Sequence, residues 1–407
     1  MTKDQKKGKY RVAIILSHPI HYLTALCREL AARPDIELTV YFCSDFGLHP
    51  GYDATFGRTV TWYDERILEG FAYRFLPRWF SRGSSPGGFW SVTNPRIVTE
   101  LIRGRYDAVA IHGYTYCTNW LAVIAAKLVG TAVFLRGESN LLERRSVSVS
   151  AVKWLVLRTL FPFIDRFLTI GTLNTRFYEH YGIRPERLFL TPYAVDNTLL
   201  QSEHRRLLPD RGVLRRALGV NDDSPVILFV SKLIARKRPM DLLIAYRALM
   251  QNSKERTANG GESHLVFVGD GPERETLERY TKGHGFANVR FLGFKRPSDI
   301  APYFAAADIF AFPSGSETWG LVVNEAMNFG LPVITTNMVA ASYDIVQNGE
   351  TGFVCPVGDT TMFTQRLRTL VDSAELRQEQ GRKALERIST WSNREAADGI
   401  LRALRTL

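Results

Sequence analysis

Short runs of consecutive apolar residues alternate with longer segments whose apolar positions recur every three or four residues. The runs are typical of strands buried on both faces, and the longer segments are typical of amphipathic helices. This alternation predicts parallel sheets with right-handed crossovers. In the first half it predicts strands at residues 12–16, 37–43, 107–111, 132–135, 167–170 and 187–190. In the second half it predicts strands at residues 226–230, 265–268, 289–292, 309–312, 333–335 and 353–354.

The composition changes between residues 200 and 224, where polar and charged residues replace the apolar runs. We therefore predict a first α/β domain over residues 1–200 and a second over residues 225–385, joined by a linker over residues 201–224. A final helical segment, residues 386–407, is expected to pack back on the first domain. The 407 residues suffice for two hydrophobic cores. The predicted fold class is α/β, with two Rossmann-like doubly wound parallel-sheet domains facing a central cleft, a common place for ligands.

Residues 44–95 do not follow this alternation and are rich in glycine, proline and aromatic residues. We predict a long loop with short elements beside the first sheet, and such loops in compact domains are often binding loops. Two roles stay open for the aromatic side chains: contact with an acceptor sugar or lipid, and packing against the sheet. These side chains are Phe71, Tyr73, Phe75, Trp79, Phe80, Phe89 and Trp90.

Composition narrows the class of protein and its environment. Hydrophobic residues make up 45% of the chain and charged residues 23%, which is ordinary for a soluble globular protein. The four cysteines are scattered without metal-binding spacing, which predicts reduced thiols in a cytoplasmic protein. No apolar stretch approaches the roughly 18 uncharged residues of a membrane span. The first apolar run is too short for a signal peptide.

The net charge of +11 is unevenly distributed, with +8 in residues 1–205 and +3 in residues 206–407. A basic first half suits an anionic partner such as a phospholipid surface or a phosphorylated acceptor. Peripheral association with the inner face of the cell membrane is therefore one expectation, and a merely soluble basic surface is the other. Nucleic acid is not expected as a partner, because no recognisable binding motif accompanies the charge.

Two glutamates eight residues apart, Glu317 and Glu325, follow one of the predicted strands after a Pro-Ser-Gly loop. A helix pattern begins near residue 319. Ligands of α/β sheets bind at this place, beyond the carboxyl end of a strand. Both carboxylates can accept hydrogen bonds from sugar hydroxyls. Free N–H groups at the helix start are expected to attract an anion such as phosphate, and they belong to Trp319, Gly320 and Leu321.

Other strand ends of the second half carry residues suited to the same ligand. Lys232 and Lys237 belong to a cluster of cations, and such a cluster suits a leaving diphosphate. Gly269 permits a tight turn and a close backbone approach. Phe294 follows a further strand, where it either contacts a base or simply turns the chain. A solvated basic turn is the alternative interpretation of the cations.

Histidines follow two strands of the first half. His18 comes after the opening strand, and His112 comes after the strand predicted at residues 107–111. Both would lie at the edge of the sheet that the predicted cleft adjoins. For either residue, a structural or merely exposed histidine is the alternative.

The motifs of the second half resemble those of retaining glycosyltransferases of the GT-B fold, in the large GT4 family also called glycosyl transferases group 1. The segment from Glu317 to Glu325 is similar to the E-x7-E motif of that family. The first half is similar more loosely, at residues 15–22 and 193–196. The similar segments of the second half, in the family's order, are residues 231–237, 269–272, 291–293, 317–325, 330–334 and 348–354.

The resemblance implies transfer of a hexose-type sugar from a nucleotide sugar, a UDP- or GDP-sugar, to an acceptor hydroxyl with retention at the anomeric carbon. The implied acceptor is a glycan, a lipid-linked saccharide or a small molecule, and no cofactor or metal ion is required. Lys232 and Lys237 would hold the diphosphate, Glu317 the donor-sugar hydroxyls and Glu325 the ribose. His112 would lie beside the donor sugar. The remaining implied donor-binding residues are Thr318, Trp319, Gly320, Leu321, Gly269 and Phe294.

One departure from the family pattern concerns the diphosphate. Lys232 stands where the family has arginine, so the planar guanidinium fork is lost, and Arg236 or Arg238 could supply it instead. No Asp-x-Asp occurs in the sequence, so we expect no metal-bound diphosphate. Two other functions stay open: a nucleotide-sugar epimerase or hydrolase on the same fold, and a non-catalytic protein that binds a sugar nucleotide or an anionic surface.

Overall fold

The computed structural model describes residues 8–53, 58–63, 65–79, 88–142, 146–221, 224–253 and 263–407. The chain forms two compact units. Unit 1 comprises Met1–Tyr193 together with Asn393–Leu407, and unit 2 comprises Ala194–Ser392.

A sheet of seven parallel strands forms the centre of unit 1, in the order β5-β2-β1-β6-β7-β8-β9. Ile14 of the first strand lies opposite Val40 on one side and Ala110 on the other. The central strands β1, β6 and β7 are largely buried apolar runs, which is typical of parallel strands covered on both faces. The seven strands of this sheet are β1 (Tyr10–Leu16), β2 (Ile36–Phe42), β5 (Ala72–Phe75), β6 (Ala108–His112), β7 (Ala132–Arg136), β8 (Arg166–Thr169) and β9 (Leu188–Leu190). A separate antiparallel pair consists of β3 (Gly51–Asp53) and β4 (Arg58–Val60). The first five helices are α1 (His21–Ala31), α2 (Arg96–Gly104), α3 (Cys117–Leu128), α4 (Val147–Leu160) and α5 (Thr172–His180).

Unit 2 is built in the same way around six parallel strands. Several of its helices begin at a polar capping residue: Asp196, Ser373 and Asp359 each accept a hydrogen bond from a backbone N–H of the first turn. In the order β12-β11-β10-β13-β14-β15, the strands are β10 (Val226–Val230), β11 (His264–Val268), β12 (Val289–Phe291), β13 (Ile309–Phe312), β14 (Val333–Thr336) and β15 (Gly352–Cys355). The helices are α6 (Asn197–Leu207), α7 (Arg211–Ala217), α8 (Pro239–Ser253), α9 (Arg274–Gly283), α10 (Ala301–Ala306), α11 (Leu321–Asn328), α12 (Thr360–Asp372) and α13 (Ala374–Ser389).

Short 3-10 helices connect several of these elements in both units. They lie at Glu65–Leu68, Phe89–Ser91, Phe161–Phe163, Pro185–Arg187, Leu208–Asp210, Ala235–Lys237, Pro297–Asp299 and Ala340–Tyr343.

Within the segment predicted as a linker, residues 201–224, residues 201–217 are helical in the structure, which corrects the prediction. The segment contains most of α6 and all of α7, and it belongs to unit 2. Its charges are not simply solvated: the buried Arg215 side chain donates to Asp308 at 2.9 Å, and Arg211 donates to the same carboxylate at 2.8 Å. Burial opposes ionisation of Asp308, but the two guanidinium groups outweigh it and lower the pKa of that carboxyl.

The last helix, α14 (Asn393–Leu404), returns to unit 1. Arg33 pairs with Asp398 at 3.0 Å, and Arg166 donates to the Thr406 hydroxyl at 2.8 Å. Gly399 allows the close approach to β9, because a Cβ there would lie 2.1 Å from the Leu190 carbonyl oxygen. The sequence analysis placed this returning segment at residues 386–407, whereas residues up to Ser389 belong to α13 in unit 2.

Residues 44–95 contain β3, β4 and β5 in addition to loops. Some of these aromatic side chains pack against the sheet, and the role of contacting an acceptor stays a prediction. Phe71, Tyr73 and Phe75 contact the buried Phe42, although Tyr73 and Phe75 are exposed at the edge strand β5. Phe80 lies outside the described residues. The remaining members of the set, Trp79, Phe89 and Trp90, are exposed.

Candidate functional site

Four neighbouring strand ends of unit 2 bring together most of the predicted site residues. β12, β11, β10 and β13 are consecutive in the sheet, and all are parallel. The residues that follow them therefore emerge at one edge, where α/β sheets bind ligands. Those residues are Phe294 after β12, Gly269 after β11, Lys232 after β10 and Glu317 after β13.

Gly269 joins two of these strand ends. Its φ of 144° favours glycine, and a Cβ at this position would lie 1.8 Å from the Ser231 carbonyl oxygen. Its N–H donates to the Gly293 carbonyl oxygen at 2.9 Å. The residue therefore fixes the backbone immediately before Lys232 and the backbone immediately before Phe294. Glycine is required at position 269 because the two strand-end loops pack too closely there for a side chain.

Lys237 and Glu317 form an ion pair between the ends of β10 and β13. The Lys237 Nζ contacts Glu317 Oε1, and the buried Ser314 hydroxyl donates to the same oxygen at 2.7 Å. Only 13% of the Lys237 side chain and 11% of the Glu317 side chain are exposed. The ammonium also lies 5.3 Å from the centre of the Phe312 ring, a cation–π distance.

Burial lowers the pKa of Lys237, and the adjacent Glu317 carboxylate partly offsets that effect. The positive charges of Arg236 and Lys232 also lower the pKa of Lys237. The charges of Lys232 and Arg236 thus disfavour the charged form of Lys237. An anion with more than one negative charge, such as a diphosphate, would relieve that repulsion.

The Glu317 loop is held on both sides by backbone contacts. The Glu317 N–H donates to the Met338 carbonyl oxygen at 2.9 Å, and the Arg236 carbonyl oxygen accepts from the Gly315 N–H at 2.8 Å. Gly320 has a φ of 102°, and a Cβ there would lie 2.8 Å from Val339 Cγ1. The position of the carboxylate is therefore fixed by the loops after β10, β13 and β14.

The helix after Glu317 begins two residues later than the sequence predicts, at Leu321. Trp319 is buried: its ring stacks on Trp391 with a centroid distance of 5.6 Å, and its indole N–H donates to Asn324 at 2.9 Å. Its side chain therefore stabilises unit 2, and the predicted role of Trp319 concerns its backbone N–H alone. Glu325 lies half-buried in the second turn of α11. Thr318 lies between Glu317 and the buried Trp319.

Arg236 and Arg238, which could supply the guanidinium group that Lys232 lacks, each form a hydrogen bond within the protein. Arg236 donates to the Ser316 carbonyl oxygen at 2.9 Å. Arg238 donates to Asp241 at 2.6 Å and has a φ of 51°. Both arginines therefore stabilise the loops on either side of Lys237.

His112 lies in unit 1, at the end of β6. Its Nε2 is 3.5 Å from Glu138 Oε1, and the same carboxylate accepts the hydroxyl of Tyr193. The Arg136 guanidinium lies 4.9 Å from the centre of the Tyr193 ring. Burial, then the Glu138 charge, raise the pKa of Tyr193 well above its ordinary value, so this phenol is a neutral donor.

His18 lies near His112 in the same unit. Burial, followed by the charge of His112, lowers the pKa of His18 to about 4. The Ser17 hydroxyl lies 2.9 Å from His18 Nδ1. His18 is therefore a neutral imidazole at pH 7, which fits a hydrogen-bonding role better than a charged one.

Sequence reasoning missed Ser314, Glu138 and Tyr193 as partners of predicted residues. Ser314 stands three residues before Glu317, so the motif itself contained that signal. Glu138 and Tyr193 are 55 residues apart in sequence, and only the fold brings them together.

Comparison with known proteins identifies relatives along much of the chain. A model of the family described as glycosyl transferases group 1 matches residues 210–387. The D-inositol 3-phosphate glycosyltransferase of Rhodococcus opacus (strain B4) is 30% identical over 315 residues, which cover 74% of this chain and 68% of that protein. The N-acetyl-alpha-D-glucosaminyl L-malate synthase of Bacillus anthracis is 27% identical over 215 residues, covering 48% and 54%. With several such relatives the chain matches about half of their length or less.

A solved structure shows the fold. Anabaena HepE in complex with UDP superimposes with a TM-score of 0.70 at 17% identity, covering 98% of this chain and 100% of that one. The predicted GT-B fold, with two parallel-sheet domains, is confirmed. Within the ranges that the structure describes, no helix has the length and apolar character needed to cross a membrane.

Proposed function

The chain belongs to the glycosyl transferases group 1 family, and from this premise we propose that it is a glycosyltransferase, specifically a retaining, metal-independent hexosyltransferase that uses a nucleotide sugar. The observation that carries the proposal is the Lys237–Glu317 pair, with Lys232 nearby, at one edge of the unit 2 sheet. The two cations, Lys232 and Lys237, suit a diphosphate, and the Glu317 carboxylate suits sugar hydroxyls.

The proposed donor is a UDP- or GDP-sugar bound by unit 2. HepE, which shares the fold, was solved with UDP, and this supports a nucleoside diphosphate as the leaving group. In the proposal Lys232 and Lys237 hold the diphosphate, and Glu317 accepts hydrogen bonds from the sugar. Glu325 binds the ribose. The supporting donor contacts come from Gly269, Phe294, Thr318 and the N–H groups of Trp319, Gly320 and Leu321.

The proposed reaction is a displacement on one face of the sugar. The bond between the anomeric carbon and the phosphate oxygen breaks while the acceptor oxygen bonds to that carbon from the same side. The acceptor proton passes to the leaving phosphate oxygen, so the reaction requires no protein base. Lys237 and Lys232 stabilise the charge that grows on the diphosphate, and this stabilisation is strongest where burial excludes water.

Glu317 has two partners in this scheme. It pairs with Lys237, and in the proposal its second oxygen accepts from a donor hydroxyl. The Ser314 hydroxyl keeps the carboxylate oriented while Lys237 shares its charge with the diphosphate. Glu317 is therefore an orienting residue and need not act as a nucleophile. The role that the family resemblance implies for His112 stays a prediction.

The acceptor and the cellular location also belong to the proposal. We propose a glycan, a lipid-linked saccharide or a small molecule as acceptor, and a cytoplasmic protein that associates peripherally with the inner face of the membrane through its basic unit 1.

A panel of UDP- and GDP-sugars, each with and without candidate acceptors, tests the proposal through release of the nucleoside diphosphate. Release that requires an acceptor supports transfer. Donor consumption without an acceptor would instead identify an epimerase or hydrolase, and binding without turnover would identify a non-catalytic protein.

A further inference from the structure

Helix α4 of unit 1 presents apolar side chains to solvent along its length. Val147 is 87% exposed, Val152 65% and Leu155 60%. Trp154 and, just beyond the helix, Phe163 are exposed as well. We call these five side chains the α4 face. Exposed apolar residues are usual when they are scattered, but a continuous group of this kind marks an interaction surface.

The buried side of the same helix is also apolar. Leu157 and Leu160 are buried and join a core cluster with Phe161 and Ile164. A helix that is apolar on all sides is normally covered on all sides. The core covers only one side of α4, and on its exposed side large apolar side chains stand among the polar Ser148, Arg158 and Thr159.

The neighbouring helix extends the apolar surface. β6, β7 and β8 are consecutive in the sheet, and α3 and α4 are the crossovers between them. Because right-handed crossovers in one direction lie on the same side of a sheet, α3 and α4 are neighbours. Both contribute to the same buried cluster. On the outer side of α3, Ile124 and Leu128 are exposed.

The charged side chains of residues 146–164 have one sign, since this segment contains no aspartate or glutamate. Of its two cations, Arg158 is exposed, whereas the Lys153 ammonium lies 4.6 Å from the centre of the buried Phe177 ring and so faces the core. The Arg158 guanidinium lies 5.0 Å from the centre of the Trp154 ring. By sequence, unit 1 has 28 lysines and arginines against 18 aspartates and glutamates, so it carries +10 of the total +11.

We propose that the α4 face docks on an anionic phospholipid bilayer, with the helix lying in the plane of the interface. Tryptophan and arginine side chains are favoured at the headgroup level, and leucine and valine gain from contact with the acyl boundary. The net positive charge of unit 1 provides the complementary attraction. The same charge disfavours a second copy of the chain as the occupant, since two such units repel.

The α4 face would be the surface through which the proposed peripheral membrane association occurs, so this inference rests on that part of the proposed function. It is independent of the reaction with the sugar donor. The test is co-sedimentation of the whole protein with vesicles of equal parts phosphatidylglycerol and phosphatidylcholine. We expect binding that weakens with added salt and is much weaker on phosphatidylcholine alone. In the variant Val152→Ser/Leu155→Ser, binding should weaken roughly tenfold or more, because two apolar side chains leave the interface.

The matched control is Leu199→Ser/Val213→Ser, which changes two exposed apolar residues of unit 2. It should bind vesicles like the unaltered protein, and both variants should keep the thermal midpoint and nucleotide affinity of that protein. Absence of vesicle binding by the unaltered protein, or equal binding by the α4 variant, would overturn the proposal. A dimer in solution that the α4 variant converts to a monomer would also overturn it, because the face would then be a protein interface. None of these results would alter donor turnover in solution, so failure of the transferase proposal would be seen separately.

Discussion

Lys237 and Glu317 contact each other through Nζ and Oε1, and that same carboxylate oxygen accepts the Ser314 hydroxyl at 2.7 Å. The two residues are 80 positions apart and follow neighbouring strands, β10 and β13. The opposite charges of the Lys237 ammonium and the Glu317 carboxylate neutralise each other, and both side chains are largely buried. Because Glu317 is fixed by Ser314 and by the Met338 carbonyl, the carboxylate can keep its position when a diphosphate competes for Lys237.

Replacing Ser314 by alanine should weaken donor use without abolishing it. The buried hydroxyl orients Glu317, and loss of one such hydrogen bond costs about 1–3 kcal/mol. We expect the KM for the donor to rise several-fold or more while kcat changes less. Steady-state kinetics with the preferred donor measure this split. An unchanged KM would show that Ser314 does not orient the carboxylate.

Replacing Gly320 by alanine should destabilise unit 2. The φ of 102° disfavours a side chain, and the new Cβ would lie 2.8 Å from Val339 Cγ1. A loss of about 1–3 kcal/mol in the free energy of unfolding is expected from such backbone strain. Gly283→Ala is the matched control, because Gly283 ends a helix and a Cβ there meets nothing within 4 Å. Denaturant unfolding that ranks the two variants equally would contradict this account.

His18 should make stability depend on pH below neutrality. Its pKa in the folded protein is about 4, below the ordinary value of 6.5, because it is buried near His112. Between these two values the unfolded chain binds a proton that the folded chain does not. The free energy of unfolding contributed by His18 is therefore complete above pH 6.5 and decreases as the pH falls toward 4, by up to about 1.4 kcal/mol per pH unit.

The variant His18→Gln should remove this part of the pH dependence. Urea unfolding of both proteins between pH 4 and 8 measures the difference. Parallel stability curves for the two proteins would show that His18 is not held neutral by the fold.

Replacing Glu325 by alanine should weaken nucleotide binding. If its carboxylate accepts the ribose hydroxyls, two charge-assisted hydrogen bonds are lost, and affinity for UDP or GDP should fall about tenfold or more. Calorimetric titration measures the change. Glu350→Ala, an exposed glutamate of the same unit, provides the control. Equal affinity in the unaltered protein and in Glu325→Ala would remove Glu325 from the ribose site.

The sequence predicts the sheets well where a strand is a continuous apolar run. The strands Val226–Val230 and Ile309–Phe312 have the predicted bounds because both are buried on each face. The same reasoning failed at residues 201–224, since charged residues suggest solvent while Arg211 and Arg215 are anchored on Asp308. A composition pattern cannot distinguish a solvated arginine from one that a distant aspartate neutralises.

The candidate site was predictable to a similar degree. The spacing of Glu317 and Glu325 and the parallel strands indicate which loops carry it, and the structure brings Lys232, Lys237 and Glu317 to one edge. The contacts of Ser314 and the packing of Trp319 on Trp391 depend on tertiary distances that no spacing encodes. The Glu138–Tyr193 contact beside His112 is of the same kind.

Turnover of the Lys237→Ala variant is the most direct test of the central claim, that this cation stabilises a leaving diphosphate. The measurement is acceptor-dependent release of nucleoside diphosphate at saturating donor, with Lys282→Ala, an exposed lysine of unit 2, as control. Loss of the ammonium should cost about 3 kcal/mol in the barrier, so kcat should fall roughly a hundredfold while the control is unchanged. A Lys237→Ala variant that turns over like the unaltered protein would contradict the account.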